Sequence, residues 1–246
     1  MQTNETTSNI QQSQESTIKK KVVIALPGDN FSSNFLVNWS NTLISLWTSE
    51  KYDFAIAPAT GSYIPHVRMQ TLGLDVKRGI DQKPFKGDDF DIWLTIDSDI
   101  IFSTEHVLEI LASVEKHPVV GAMYRMRDLT HIATVKTWDQ EHFIKNGQFE
   151  FLTPEFVETW KKETGLRYMP VNYTGLGFFA CRREVIDKIQ YPYFDGELKE
   201  IHGENGVVMR DMSSEDVNFC HNITKAGFEI VLDSNIRVGH LKPVVI

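Results

Sequence analysis

Asp91-Ile-Trp-Leu-Thr-Ile-Asp97-Ser-Asp99 is the stretch that decides how the chain reads. A short apolar, partly β-branched run is cut off by two carboxylates. A run of that length and composition predicts a buried strand in a sheet covered on both faces. In an extended segment Asp97 and Asp99 point to one side. At the carboxyl end of a strand they stand where open α/β sheets hold their ligands. Two such carboxylates repel unless a cation lies between them. A hard divalent ion, Mn²⁺ or Mg²⁺, suits oxygen ligands and can bridge to phosphate. The plainer alternative is an Asp-rich turn from strand to helix that holds no ligand.

Upstream, Val22-Val-Ile-Ala-Leu26 stops at Pro27-Gly28 and predicts a first buried strand. From Ser33 to Trp47, apolar residues at Phe35, Leu36, Trp39, Leu43, Ile44 and Trp47 recur at helical spacing. Phe54 to Ala57 reads as a second strand, Pro58 to Gly61 as a turn, and Pro65 to Leu72 or Leu74 as a helix. Downstream, Ser103 is placed as a helix cap with His106 three residues on; the helix runs to about Lys116 and Pro118 closes it. Val119 to Met123 resumes strand character. Strands alternating with helices in this way are the signature of an α/β sheet with helices on its faces.

The second half changes texture. His131 to Trp138 and Gly147 to Leu152 read as short strands of a more antiparallel region. Thr153-Pro154 opens a helix with proline at its first position. Tyr173 to Cys181 reads as a strand interrupted by glycine, followed by a short helix from Arg183 to Ile189. Gly196 to Asp211 is polar, has no clear period, and is expected to be a mobile loop. Ser214 to Ala226 reads as a helix stopped by Gly227, and Phe228 to Leu232 as a strand.

Three further features carry chemical meaning. Glu215-Asp216 offers a carboxylate that could take a proton from an attacking hydroxyl, although acidic residues in a first helical turn are also what capping favours. His240 follows a strand late in the chain and could join a carboxylate on Mn²⁺, or could be an ordinary core or surface histidine. Gly175-Leu176-Gly177 permits close backbone or ligand approach, or marks a bulge. No GKS or GKT follows, so it is not a phosphate loop, and the dinucleotide fingerprint is absent too.

Composition removes other classes. With Lys plus Arg at 25 and Asp plus Glu at 33, the net charge of −8 argues against general nucleic-acid binding. Two cysteines, Cys181 and Cys220, are too few for a disulfide framework or a Cys-rich zinc site, and point to reduced thiols in a cytoplasmic setting. No run of 18 apolar residues exists, so no membrane span is expected. Residues 1–18 are polar and low in complexity and are expected to form a disordered tail ahead of one domain over 19–246.

Taken in order, the opening strand, the Asp97–Asp99 motif, the glycine-rich segment, Glu215-Asp216 and the late His240 resemble a metal-dependent glycosyltransferase of the GT-A type. The resemblance covers most of residues 20–242 and lies nearest the small nucleotide-sugar transferases of bacteria, large viruses and phages. It implies a Rossmann-like nucleotide-binding sheet with a mixed C-terminal acceptor half. It implies that Asp99 and His240 ligate Mn²⁺ (or Mg²⁺), with Asp97 on the ribose side or on the metal through water. Pro27, Gly28, Asp29 and Asn30 would cradle the nucleoside, with Ser98, Tyr63 and Arg68 nearby. Asp216, supported by Glu215, would be the base of an inverting transfer, and Trp138, Gly175, Leu176 and Gly177 would border the sugar and acceptor. The donor is expected to be a nucleoside-diphosphate sugar, UDP favoured, and the acceptor a glycan or other hydroxyl compound. Only Leu241 to Ile246 follow His240, so no attached membrane domain is expected; a homo-oligomer stays open. The location expected is the cytoplasm, the host's if the protein is viral. Sugar nucleotidyltransferases, the nearest alternative, usually carry basic residues straight after the first strand, whereas Pro27 to Ser32 has none. A non-catalytic binding protein is the third class.

Overall fold

The computed structural model describes residues 18–204 and 206–243. The expected tail falls, apart from Ile18, on residues outside these. The strands, in chain order, are β1 (Lys20–Pro27), β2 (Tyr52–Ala59), β3 (Ile92–Ile96), β4 (Ile100–Ile101), β5 (Val119–Met123), β6 (Thr134–Val135), β7 (Tyr168–Val171), β8 (Tyr173–Thr174), β9 (Phe178–Arg182), β10 (Leu198–His202), β11 (Val208–Met212), β12 (Ile230–Arg237) and β13 (Gly239–His240). The helices are α1 (Ser33–Trp47), α2 (Ile64–Thr71), α3 (Thr104–Val114), α4 (Gln140–Asn146), α5 (Pro154–Thr164), α6 (Arg183–Lys188) and α7 (Glu215–Lys225).

The expected α/β class holds. A seven-stranded sheet runs in the order β2-β1-β3-β9-β5-β12-β7. β1 pairs in parallel with β2 and β3, and β12 with β5, while β9 and β7 run against their neighbours. β3 is buried along its whole length. Its side chains alternate between two cores: Trp93 joins Phe179, Phe219 and Ile223 on one face, and Ile92, Leu94 and Ile96 join Phe35, Leu46 and Ile110 on the other. Helices α1 and α3 therefore cover one face and α6 and α7 the other. No helix among the described residues is long and apolar enough to cross a membrane.

Local signals explain the boundaries. Ser103 accepts from the His106 amide while His106 Nδ1 accepts from the Ser103 amide, a closed capping box on α3. Helix α1 has the expected bounds, but its buried stripe is Phe35, Thr42 and Leu46, and it leaves Leu36, Ile44 and Trp47 exposed. The helix meets α3 and the sheet along one narrow stripe, and its apolar residues outnumber the positions there.

Three expectations are corrected. Gly196 to Asp211 is not an irregular loop: it holds the antiparallel hairpin β10–β11, with Glu200 directly opposite Arg210 and the two ion-paired. Both faces of this ribbon are largely exposed, so it shows no apolar alternation to read. Tyr173 to Cys181 is two strands, β8 and β9, broken at Gly175–Gly177. Gly147 to Leu152 makes only a single bridge, Val135 to Phe151, and the short helix α4, capped by Asp139, stands just before it.

Candidate active site

The carboxyl ends of β1, β3, β5 and β12 meet at one edge of the sheet. A tight turn follows β3, where the Asp97 amide donates to the Gly177 carbonyl at 2.9 Å and the Ile100 amide to the Asp97 carbonyl at 3.0 Å. Gly28, at φ +126°, ends β1 directly over this turn. A Cβ there would lie 2.5 Å from Ser98 Oγ, so only glycine lets the β1 loop approach the motif this closely. Gly28 thus touches the Asp97–Asp99 turn, and Pro27 is the last residue of β1 before it. Asp29 and Asn30 follow in the exposed loop, joined by a 2.8 Å side-chain hydrogen bond. Tyr63 is exposed at the start of α2.

Asp97 is held from below. Arg68 on α2 donates through both terminal nitrogens to the two Asp97 oxygens, at 2.9 and 3.0 Å, and reaches Thr95 Oγ1 at 3.4 Å. Arg68 Nε also reaches Glu215 Oε1 at 3.4 Å. The guanidinium is buried. Burial alone would lower its pKa, but the carboxylates of Asp97 and Glu215 raise it above the ordinary value. One arginine therefore ties the β3 turn to the first turn of α7, and both Asp97 oxygens are engaged by it.

Asp99 faces the other way. The two-residue ladder β4–β13 sets His240 opposite Ile100, and the Leu241 amide donates to the Asp99 carbonyl at 2.7 Å. His240 Nε2 comes to 3.1 Å from Asp99 Oδ2. His240 Nδ1 lies 2.7 Å from the Arg125 carbonyl oxygen, which can only accept, so that bond assigns the proton to Nδ1. In a neutral imidazole the remaining Nε2 lone pair then points at a carboxylate oxygen. Two acceptors face each other, and only a cation between them, a proton or a metal, satisfies both. Histidines that bind metals commonly donate their other N–H to a carbonyl in this way. Lys242 Nζ also contacts Asp99 Oδ2, at 2.6 Å. Burial pushes the Asp99 carboxyl up, but the His240 and Lys242 contacts outweigh it and bring the pKa down to about 2. Among the described residues no three His, Cys, Asp or Glu side chains cluster as a metal cage. The protein offers one carboxylate and one imidazole.

Asp216 stands beside Glu215 at the start of α7. Its Oδ2 accepts from Tyr173 Oη at 2.7 Å, and its Oδ1 from the Val217 amide at 2.9 Å and from Ser214 Oγ. Burial raises the Glu215 pKa, neighbouring Asp216 adds to this, and Arg68 partly offsets it. Burial and Asp216 together also hold the Tyr173 phenol well above its ordinary value.

A cavity of about 390 Å³ opens next to Tyr173 and Ser214, and Trp138 lines it. Gly175, Leu176 and Gly177 do not. Leu176 is buried in the core, and the glycines make room for Tyr124, whose ring and hydroxyl would lie 2.0 to 3.1 Å from a Cβ at either position. The Gly177 amide donates to Tyr124 Oη at 3.1 Å, and the same ring packs edge-on against His240 at 5.2 Å. A second hollow of about 610 Å³ lies at the opposite ends of β1 and β3 and contains none of these residues.

The structure thus joins Arg68, Asp97 and Glu215 in one network, packs Gly28 on Ser98 between the two aspartates, and joins Asp99, His240 and Lys242 in another network. Lys242 and Tyr173 contact the candidate residues Asp99 and Asp216 and were passed over in the sequence. Lys242 had a usable signal, since two residues after His240 in an extended segment it lies on the same side. Tyr173 had none, because its partner is 43 residues away.

No protein-family profile matches the chain, and no curated protein matches it in sequence. Its backbone is similar to the crystal structure of A197 from STIV, with a TM-score of 0.46 and 17% identity over 90% of this chain and 86% of that one. It is similar to GalNAc-T7 with UDP, GalNAc and Mn²⁺, with a TM-score of 0.49 and 13% identity over 92% of this chain and 43% of that one. It is also similar to glucosyl-3-phosphoglycerate synthase from Mycobacterium tuberculosis with Mn²⁺, UDP and glucosyl-3-phosphoglycerate, with a TM-score of 0.41 and 12% identity over 92% of this chain and 73% of that one.

Proposed function

We propose that the chain is a GT-A type glycosyltransferase that moves a sugar from a nucleoside-diphosphate sugar, UDP favoured, to an acceptor hydroxyl. The observation that carries this is the approach of His240 Nε2 to Asp99 Oδ2 at 3.1 Å, with His240 Nδ1 engaged by the Arg125 carbonyl, at the carboxyl edge of a mostly parallel sheet. One carboxylate and one imidazole fit Mn²⁺ (or Mg²⁺) and leave positions for phosphate oxygens. When bound there, the metal offsets the charge that grows on a departing diphosphate.

The chain's own residues supply the rest. Pro27, Gly28, Asp29 and Asn30 border the nucleoside, beside Ser98 and Tyr63. Arg68 holds Asp97 toward the ribose, and Lys242 adds a positive charge on the diphosphate side. Asp216 takes the proton of the acceptor hydroxyl, and Glu215 supports it from the Arg68 network. A carboxylate offers about four acceptor sites. Asp216 has three filled by Tyr173, Ser214 and Val217, which leaves one for the incoming hydroxyl. Those same three bonds also favour a second reading, in which the Glu215-Asp216 pair holds donor hydroxyls and the transfer retains configuration. The loop after β1 carries no basic residue for a triphosphate, which sets a nucleotidyltransferase aside. Cys181 and Cys220 are both free and buried, in keeping with a cytoplasmic protein.

The test is donor binding followed by product analysis. UDP with Mn²⁺ should raise the melting temperature more than GDP or CMP does. Asp216→Asn should cut turnover by about 10²–10⁴-fold with little change in donor affinity. An inverted product anomer supports the base role, and a retained anomer with near-parent turnover assigns the pair to the donor sugar. No stabilisation by any nucleoside diphosphate with Mn²⁺ overturns the proposal as a whole.

A further inference from the structure

The cavity beside Asp216 has walls of a definite kind. One side is aromatic: Trp138, Phe149, Phe151 and Tyr173. Trp138 meets Phe149 edge-on at 4.8 Å and stacks on His221 at 4.8 Å with the rings 26° apart. The other side is the β10–β11 hairpin, which presents Ile201 and Met212. Tyr173 belongs to both this wall and the site, because its hydroxyl bonds Asp216. Two lining residues, Tyr173 and Ser214, both hydrogen-bond Asp216, so the carboxylate lies directly behind this end of the cavity.

The charge around the cavity is matched or negative: Asp211 lines it and has no cationic partner among the described residues. Lys199 is paired with Glu197, and Glu200 with Arg210. His221 is held toward its neutral form by burial and by the neighbouring Lys199 and Lys225. Among the described lining residues no cation stands unpaired to receive a phosphate or carboxylate. An anionic ligand would have to break a pair or be desolvated without compensation. A neutral ring with an apolar face meets no such cost and gains contact with the aromatic wall. About 390 Å³ lies within the range of small-molecule pockets.

We propose that this cavity is the acceptor site and that it takes an uncharged ring compound bearing a hydroxyl, a neutral sugar ring or an aryl glycoside, and excludes phosphorylated acceptors. The assignment rests on Asp216 being the group that meets the acceptor hydroxyl. A ring with an apolar face that packs on the wall is the shared chemistry, and the experiment separates its two sources.

The probes are phenyl β-D-glucopyranoside, methyl β-D-glucopyranoside and glucose 6-phosphate, tested without donor or metal by saturation-transfer NMR and calorimetry. The two neutral glycosides should bind and glucose 6-phosphate should not. Strongest transfer to the phenyl protons names the aryl group as the ring on the wall; strongest transfer to pyranose protons names the sugar. Phe149→Ala and Trp138→Ala should weaken the neutral glycosides by about 3- to 10-fold, the scale of a lost aromatic contact. Met212 is 65% exposed, so Met212→Lys keeps the fold while adding an unpaired cation, and it should admit glucose 6-phosphate at several-fold higher affinity. Binding of glucose 6-phosphate to the parent as tight as that of the glycosides, or no binding of either glycoside, overturns the proposal. UDP and Mn²⁺ binding, measured separately, shows whether the donor reading stands when the acceptor assignment falls.

Discussion

At Asp97 both oxygens are taken by the fork of Arg68, whose side chain is only 6% exposed. At Asp99, two residues on, the partners are His240 and Lys242 at a rim where the carboxylate is 37% exposed. A spacing of two puts both carboxylates on one side of an extended chain, yet the turn after β3 sends them into different surroundings. The inner one fastens α2 and α7 to the sheet. The outer one faces an imidazole and an ammonium at the solvent rim. A pair of aspartates that reads as one ligand motif is divided between a buried ion-paired position and an open one, and the proposed metal falls to the open one.

The widest gap should appear in stability. Arg68→Ala leaves Asp97 and Glu215 facing each other without their shared cation, and should cost about 3–5 kcal/mol in urea unfolding, as breaking a buried pair does. Arg68→Lys should recover only part of this, since an ammonium cannot span both Asp97 oxygens. If Arg68→Ala unfolds like the parent, the inner aspartate is not architectural and the division fails.

Acid should act on the outer aspartate. Asp99 has a folded-state pKa of about 2, below its ordinary 3.8. A depressed carboxyl contributes stability above the unfolded value and loses it as pH falls through the folded value. Parent and Asp99→Asn unfolding curves should therefore differ above about pH 4 and converge toward pH 2. Parallel curves over that range would mean that the His240 and Lys242 contacts contribute nothing to folding.

The smallest effect should come from Lys242. Its ammonium and a metal compete for the same Asp99 oxygen, so Lys242→Ala should bind Mn²⁺ several-fold more tightly without nucleotide, read by the free-ion electron-spin signal. Unchanged Mn²⁺ affinity would place the ion away from Asp99 Oδ2.

The sequence shows the strand and the late histidine but not the contrast between the two aspartates. Ile92 to Ile96 announced a buried strand because every side chain in it is buried, and the chain order of strands and helices followed from runs that pack on a sheet. His240 was visible as a late histidine after a strand, though its approach to Asp99 is made by a two-residue ladder that no periodicity reports. The Arg68–Asp97–Glu215 network spans 147 residues of chain and leaves no local trace. The β10–β11 hairpin was hidden for the opposite reason: its strands are solvated on both faces, and a ribbon that buries little has no pattern to show.

The central claim is that Asp99, with His240, holds the cation that receives the diphosphate. Calorimetry of UDP in the presence of Mn²⁺, run on the parent and on Asp99→Ala with their melting curves, tests it most directly. Mn²⁺-dependent UDP binding is expected of the parent, and its loss in Asp99→Ala, with the variant still folded. An Asp99→Ala protein that binds UDP and Mn²⁺ as tightly as the parent would contradict it.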